Sequence, residues 1–441
     1  MCGFVASCIC SLARDTSHIH GHAIGHTQPH LEGRANGDAE DDENKEQANG
    51  RSNGLAHEDS STNGHANGHA NGHANGHANG NPVKVSGSDP TREALAKQIQ
   101  GGIDAIKHRG PDGSGVWVSS DANVGLGHCR LSINDLSPSG AQPLHSPDGL
   151  VHAVVNGEIY DHDRLRAVCA AEHGYAFTGE SDSELVIALY QIHGAPAFFE
   201  HLRGEFAFVL YDERRRRVIA GRDRFGIKPL VWAVLGNRVV FAAEAKALLA
   251  LGWKPEWNVR GITDSGWMMD DRTVFKGVRK LMPGHWIEVT EDKGVAIHKY
   301  WDAEYPDKVS MPALLAPAGS FSDNYPPQKT ADPRTIDEMV LGVRQRLVEA
   351  IRLRLRADVP VGIYLSGGID SSTVAGIVTE LARKEKVKIG SEQATRVACF
   401  SVRFPHESGY DESGEYPRLP LSPPPFSSPA RRPPANRGQS S

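Results

Sequence analysis

A low-complexity block near the start of this 441-residue chain limits what the chain can fold into. Residues 12–90 are rich in glycine, asparagine, histidine, serine and acidic residues, and they contain the repeat NGHANGHANGHANGHANG. Histidine recurs at every fourth position, which would align possible metal ligands on a helix, but an Asn-Gly pair in each repeat opposes helix formation. We predict a disordered insertion with adventitious affinity for nickel or copper, so the fold must be built from the remaining sequence.

Charge and cysteine usage exclude several classes of protein. The net charge of −6 does not favour a nucleic-acid-binding surface. The six cysteines are scattered without zinc-finger spacing or a dense disulfide framework. No stretch is long and apolar enough to span a bilayer, and the start lacks a secretory signal. We therefore expect a cytoplasmic protein with reduced thiols and with neither a nucleic-acid nor a membrane partner.

Regular patterns resume after the insertion. The stretch TREALAKQIQGGIDAIKHRGPD has helical spacing of apolar residues, and SDSELVIALYQIHG and AEAKALLAL also indicate helices. Short runs between turn signals predict antiparallel strands: GVWVSS, NVGLGHCRLSI, VHAVVNGE, AFVLYDERRRRVIAGRD, LVWAVLGNRVVFAAE and GHWIEVT. We predict an α+β domain over residues 2–258 with antiparallel sheets at its core, then its final strands and a linker over 259–335.

A different pattern begins at residue 336. It reads as a helix, a strand, a glycine turn and a second helix, followed by the strand RVACFSVRF, which together predict part of a parallel α/β sheet over 336–404. The last residues, 405–441, include PPPFSSPARRPPANRGQSS and are predicted to be a disordered, aberrant tail because they cannot build a core.

Cys2 is a candidate nucleophile because it follows the initiator methionine directly. Removal of that methionine would leave Cys2 with a free α-amino group of pKa about 8, which can serve as a general base at neutral pH. Three further stretches supply suitable partners. Asn156 and Gly157 can donate to an oxyanion, Arg130 can bind a carboxylate, and Asp182 can bind an ammonium group. The simpler alternatives are an Asn-Gly turn, a surface ion pair for Arg130 and a helix cap for Asp182.

Several motifs in one order resemble a known family. MCGF, HRGPDG, GHCRLSI, AQPL, VNGEIYD, SDSE, LRGEFAFVLYDE and RDRFGIKPL together resemble the class II glutamine amidotransferase domain, and more closely that of glutamine-dependent asparagine synthetases. The resemblance implies an N-terminal-nucleophile (αββα) fold that hydrolyses glutamine to glutamate and ammonia. It makes Cys2 the nucleophile, and Asn156 and Gly157 the oxyanion donors. The glutamine-binding residues that it implies are Arg130, Leu131, Ser132, Ile133, Asn134, Asn156, Gly157, Glu158 and Asp182.

The stretch VGIYLSGGIDSS is a candidate phosphate loop. Its glycines let backbone N–H groups approach phosphate at the positive end of the next helix, although an ordinary strand-to-helix turn is the alternative. It resembles the SGGxDS loop of ATP pyrophosphatases, as asparagine synthetases carry it. The resemblance implies aspartate activation with ATP and magnesium, the metal being held by Asp370 through pyrophosphate. The ATP contacts that it implies are Leu365, Ser366, Gly367, Gly368, Asp370, Ser371, Ser372 and Val402.

The resemblance weakens after Phe404. Members of the family continue with a helical stretch and a second acidic motif, SGEGxDE, and nothing similar follows GYDESG here. We therefore expect the synthetase half to be incomplete. Three hypotheses stay open: a truncated asparagine synthetase or a relative acting on another carboxylate, a glutaminase-only protein, and an inactive paralogue that serves as a binding module. Glutamine, aspartate and ATP are the expected partners, with a possible homodimer.

Overall fold

The computed structural model describes residues 2–10, 90–264, 270–304 and 334–402. The predictions for the low-complexity insertion, for much of the linker and for the tail lie outside the described residues. In the described part, the strands are β1 Gly3–Ile9, β2 Gly113–Val118, β3 Val124–Arg130, β4 Leu144–His145, β5 Val151–Ile159, β6 Gly204–Asp212, β7 Arg217–Arg222, β8 Val231–Leu235, β9 Arg238–Ala242, β10 Val278–Lys280, β11 His285–Thr290, β12 Gly294–Lys299, β13 Gly362–Tyr364 and β14 Ala398–Phe400.

The α-helices of the described residues are α1 Pro90–Ala105, α2 His162–His173, α3 Leu185–His193, α4 Phe198–His201, α5 Val259–Thr263, α6 Ile336–Arg354 and α7 Ile369–Lys384. Short 3-10 helices occupy Lys107–Arg109, Pro138–Gly140, Asp182–Glu184 and Ala245–Leu251. These elements confirm the strands and helices predicted from the sequence. The segment AEAKALLAL differs in type, since it forms the 3-10 helix Ala245–Leu251.

Twelve of these strands form two antiparallel six-stranded sheets. The order in the first sheet is β10-β8-β9-β1-β3-β2, and the order in the second is β12-β11-β7-β6-β5-β4. The first strand of the chain therefore lies inside a sheet, with Gly3 opposite Cys129 on one side and Val5 opposite Ala242 on the other. Because β1 is paired on both sides, the residue just before it is held far more firmly than most chain ends.

The two sheets pack face to face between layers of helices. Phe4 of β1 and Val154 of β5 belong to the apolar core between the sheets. On the outer face of the first sheet, α1 contributes Ile99 to a second core. On the outer face of the second sheet, α3 contributes Leu185, which shares a third core with Phe208 of β6. The resulting αββα order confirms the fold class expected for the first part of the chain.

The second part of the chain is smaller. A capping box starts α6, since the Thr335 hydroxyl accepts the Glu338 N–H at 3.2 Å while the Glu338 carboxylate accepts the Thr335 N–H at 2.7 Å. The strands β13 and β14 are parallel, as expected, and α6 and α7 pack together through Ile351, Val378 and Leu381. Among the described residues, no helix combines the length and apolar character that crossing a membrane requires.

Candidate active site

Strand alternation directs several predicted site residues to one place. Phe4 and Val154 face the space between the sheets, and residues two positions apart on a strand face the same side. Cys2 precedes Phe4 by two residues, and Asn156 follows Val154 by two. On β3, His128 follows the inward-facing Leu126 in the same way. The three side chains are therefore directed toward the inter-sheet space.

The Cys2 thiol is half-buried beside the backbone of Leu131. The Leu131 N–H donates to Sγ at 3.3 Å, and the thiol contacts the Leu131 carbonyl oxygen at 3.5 Å. The carbonyl oxygen of Cys2 accepts from Arg109 Nε at 3.0 Å, and Arg109 is held in turn by Glu244. Burial raises the pKa of the Cys2 thiol, while the Leu131 N–H and the positive charge of Arg130 act against that rise. A thiol with a raised pKa needs a base to become a thiolate.

Asn156 has a buried side-chain amide without a partner. It is 1% exposed, and neither Oδ1 nor Nδ2 forms a hydrogen bond within the described part of the chain. Buried polar groups are normally paired, so an unpaired amide of this kind can accept a ligand at little cost. Gly157 has φ +153°, and a Cβ there would lie 2.0 Å from the carbonyl oxygen of Glu205. Both residues lie within β5, so the alternative of an Asn-Gly turn is wrong.

The residue before Asn156 is fixed by two side chains to which the sequence analysis gave no role. The Val155 N–H donates to Gln142 Oε1 at 2.7 Å, and Gln142 Nε2 donates back to the Val155 carbonyl oxygen at 3.1 Å. His128 Nε2 lies 3.1 Å from that same oxygen. Burial lowers the pKa of His128 to about 3, so the imidazole is neutral at pH 7 and donates from Nε2. Gln142 belongs to the motif AQPL, and this motif was the signal in the sequence that could have identified Gln142 as part of the site.

Two carboxylates lie close to the end of β5. Asp182 is buried, and its Oδ2 accepts the Ile159 N–H at 2.6 Å. The helix cap is Ser181, whose hydroxyl accepts the Ser183 N–H, so the cap interpretation of Asp182 is wrong. Burial raises the pKa of Asp182. Burial, together with the charges of Asp182 and a neighbouring glutamate, raises the pKa of Glu158 to about 7.

The loop after β3 forms the next part of the site. The Arg130 guanidinium donates to the Ser137 carbonyl oxygen at 2.9 Å and also to the carbonyl oxygens of Asn134 and Asp135. Its partners are thus loop carbonyls, and the surface ion pair considered from the sequence is not formed among the described residues. The Ser132 N–H is held by Asp112 Oδ2 at 2.8 Å. The loop therefore has a defined backbone path.

A cavity of about 270 Å³ opens beside this loop. Of the residues predicted to bind glutamine, three line it, namely Asn134, Glu158 and Asp182. Neither the predicted nucleophile Cys2 nor the other predicted glutamine-binding residues line it, which are Arg130, Leu131, Ser132, Ile133, Asn156 and Gly157. The remaining lining residues are Ile159, Tyr160, Asp161, His162 and Asp163 of the first part of the chain and Arg352, Leu353 and Arg356 of α6 and the residues after it. The sequence analysis missed this contribution from the second part. The buried carboxyl group of Asp182 and the half-buried one of Glu158 make the cavity suitable for a cationic group.

The predicted nucleotide loop joins β13 to α7. The Leu365 N–H donates to the Phe400 carbonyl oxygen at 2.8 Å, which continues the pairing of β13 with β14. Gly367 has φ +90°, a conformation that suits glycine. The Ser366 N–H donates to Ser371 Oγ at 3.2 Å. Gly368 then caps α7, so the positive end of that helix faces the loop.

The other predicted nucleotide contacts lie around the same loop. Asp370 is in the first turn of α7, and the Ser372 N–H donates to the Gly368 carbonyl oxygen at 3.2 Å. Val402, predicted to contact adenine, is 65% exposed. No group of three or more His, Cys, Asp or Glu side chains that could hold a metal occurs in the described ranges. Asp370 alone, together with phosphate oxygens, still fits the way in which Mg²⁺ is bound beside nucleotides.

Comparison with known proteins assigns a class to both parts of the chain. The glutamine amidotransferase domain family matches residues 85–301, and the asparagine synthase family matches residues 342–417. The chain is 48% identical over 322 residues to "Amidase chry2" of Gibberella zeae, covering 72% of this chain and 44% of that protein. It is 46% identical to "Amidase chyE" of Penicillium rubens, with the same coverages.

A third relative is "Asparagine synthetase [glutamine-hydrolyzing] 2" of Bacillus subtilis. It is 32% identical over 302 residues, which cover 66% of this chain and 37% of that protein. The chain thus spans less than half the length of each of these three relatives. The two domains are those of an amidotransferase and ligase type of enzyme. The chain belongs to the glutamine-hydrolysing asparagine synthetase family.

Proposed function

We propose that the first part of the chain hydrolyses glutamine with Cys2 as the nucleophile. Removal of Met1 frees the α-amino group of Cys2, which takes the thiol proton. The sulfur attacks the side-chain amide carbon, ammonia leaves and a thioester forms, and water then releases glutamate. The observation that carries this proposal is the buried Asn156 amide, which forms no hydrogen bond with any described residue and can stabilise the oxyanion together with the Gly157 N–H.

The groups around this pair suit the rest of the glutamine molecule. Glu158 and Asp182 would bind the α-ammonium group, since both carboxylates line the cavity. Arg130 would bind the α-carboxylate in exchange for some of its loop carbonyl contacts. The backbone that would surround the substrate belongs to Leu131, Ser132, Ile133 and Asn134.

The second part of the chain would use the ammonia. Aspartate and ATP would give β-aspartyl-AMP and pyrophosphate, and ammonia would then displace AMP to form asparagine. Magnesium supplies charge neutralisation for the phosphates when it is bound, and Asp370 would help to hold it. Leu365, Ser366, Gly367, Gly368, Ser371, Ser372 and Val402 would contact ATP. A homodimer and a cytoplasmic location remain predictions.

A second acceptor is favoured by the relatives. Two proteins named amidases are 48% and 46% identical to the chain, against 32% for the asparagine synthetase. The carboxylate that receives ammonia could therefore differ from aspartate while the glutaminase chemistry stays the same.

One experiment tests the activities of the two parts of the chain independently. Purified protein is incubated with glutamine carrying ¹⁵N in its side-chain amide, with ATP and magnesium, and with aspartate or one member of a carboxylic acid panel. Glutamate should form with wild-type protein and not with Cys2→Ala. Glutamate release by Cys2→Ala at the wild-type rate would contradict the proposal.

The fate of the label then distinguishes the hypotheses. Label in asparagine identifies an asparagine synthetase, and label in another amide identifies the second acceptor. Labelled ammonia alone indicates a glutaminase-only protein. No turnover of glutamine by wild-type protein that begins at Cys2 would indicate an inactive paralogue.

A further inference from the structure

Asp358, four residues after the end of α6, holds the loop that follows β3. The Asp358 N–H donates to the Ile133 carbonyl oxygen at 2.9 Å. Its side-chain Oδ2 accepts the Asp135 N–H at 2.7 Å. One residue of the second part of the chain is therefore attached at two points to a loop of the first part, across a sequence separation of 223 residues.

The loop has a local reason to need such support. Asp135 has φ +55°, a left-handed conformation that is unfavourable for a residue with a Cβ. Its carboxylate is already used, since it accepts from the hydroxyls of Ser137 and Ser139 and from the Glu180 N–H. These contacts hold the side chain of Asp135, whereas the backbone N–H is held by Asp358.

We propose that Asp358 is a positioning residue for glutamine, because it fixes the backbone from Ile133 to Asp135 beside the cavity that Glu158 and Asp182 line. The inference rests on the proposed glutamine hydrolysis. Asn134, between the two attachment points, lines the cavity, and Arg352 and Arg356 line the same cavity. Arg354 at the end of α6 lies over the ring of Tyr160 at 4.8 Å, so α6 also contacts the residue that follows β5. The second part of the chain thereby shapes the glutamine site.

Asp358→Ala removes the side-chain attachment. A hydrogen bond to a charged group is worth enough to change binding about 10-fold, so we expect the KM for glutamine to rise about 10-fold and kcat to change less than about 2-fold. Asp358→Asn keeps an acceptor oxygen at the same reach and should stay within about 3-fold of wild type. Glu380→Ala removes a carboxylate from the exposed face of α7 and should leave KM unchanged.

Hydrogen exchange of the peptide covering residues 131–137 gives a readout that does not need turnover. Exchange should be faster in Asp358→Ala and at the wild-type rate in Glu380→Ala. If Asp358→Ala does not fold, Asp358→Ser is used, since its hydroxyl is too short to reach the Asp135 N–H. Unchanged exchange and unchanged KM in the folded variant would overturn the inference. Absence of glutaminase activity in wild-type protein would refute the proposed function, and the exchange data would still decide the role of Asp358.

Discussion

Phe208 in β6 and Phe400 in β14 are both phenylalanines in strands beside a predicted site, yet their surroundings differ. Phe208 is 0% exposed and packs between the second sheet and its helices, whereas Phe400 is 58% exposed. Tyr364 of the neighbouring strand β13 is exposed as well. Strands of parallel sheets are usually covered on both faces, so in the described residues the second part lacks the cover that the first part has.

This difference shows how each site is held. Asn156 lies in a strand with packed layers on both sides, and Gln142 and His128 fix the residue before it. The nucleotide loop at Ser366 depends mainly on local hydrogen bonds, such as those to Ser371. A closed core can hold an unpaired polar group in place, whereas exposed hydrogen bonds compete with water.

The largest expected effect tests the comparison directly. Phe208→Ala should lower the free energy of unfolding of the first part by about 3–5 kcal/mol, because it leaves a cavity in a packed core. Phe400→Ala should cost less than about 1 kcal/mol, because most of the ring already contacts solvent. Urea unfolding measures both, followed by tryptophan fluorescence for the first part, which contains all seven tryptophans, and by far-UV circular dichroism for the helices of the second part. Equal losses of unfolding free energy in the two variants would mean that β14 is covered in solution, so the two parts would not differ in packing as described.

The next effect concerns the rate of glutamine hydrolysis. Asn156→Leu keeps the side-chain volume but removes an oxyanion donor, so we expect kcat to fall about 100- to 1000-fold. KM should change much less, because the lost contact forms mainly in the transition state. Steady-state glutamate release measures both constants. The matched control is Asn237→Leu in the β8–β9 turn, which should leave kcat unchanged. An unchanged kcat in Asn156→Leu would show that Asn156 does not stabilise the oxyanion.

The smallest effect is a pH dependence. Because the pKa of Glu158 is about 7, kcat/KM for glutamine should rise with pH up to about 7, as the carboxylate that attracts ammonium becomes ionised. Glu158→Gln should remove that rise and lower kcat/KM above pH 7. A pH–rate profile measures it. The control is Glu256→Gln, which removes a carboxylate from an exposed ion pair with Lys276. If the kcat/KM profile of Glu158→Gln kept the wild-type inflection near pH 7, the inflection would belong to another group.

The same pKa has a consequence for stability. Between the ordinary glutamate pKa of about 4.3 and a pKa of about 7, native Glu158 keeps a proton that the unfolded chain has lost. Stability from this group is therefore complete below pH 4 and falls as the pH rises to about 7. Replacement by glutamine should flatten that part of the stability profile, which a urea titration at several pH values can detect.

Most of the first part of the fold could be predicted from the sequence. The runs VHAVVNGE and AFVLYDERRRRVIAGRD predicted strands, which form as β5, β6 and β7. Alternation within β5 then directs Asn156 to the same side as Val154. Two local alternatives were wrong for physical reasons. Gly157 does not form a turn, and a glycine is required there because β6 approaches its backbone closely. The short helix Asp182–Glu184 is capped by the hydroxyl of Ser181, one residue earlier than expected.

The sequence by itself determined which strands form and which faces are apolar, because these depend on neighbours two to four positions away, and its motifs predicted the site residues. Only the tertiary structure decided that Gln142 supports Val155, that Asp358 holds the loop around Asp135 and that Glu158 has a raised pKa. Each of these depends on which distant segments meet and on how much water they exclude. Burial and distance in space set hydrogen-bond partners and pKa values, and no local spacing of residue types encodes them.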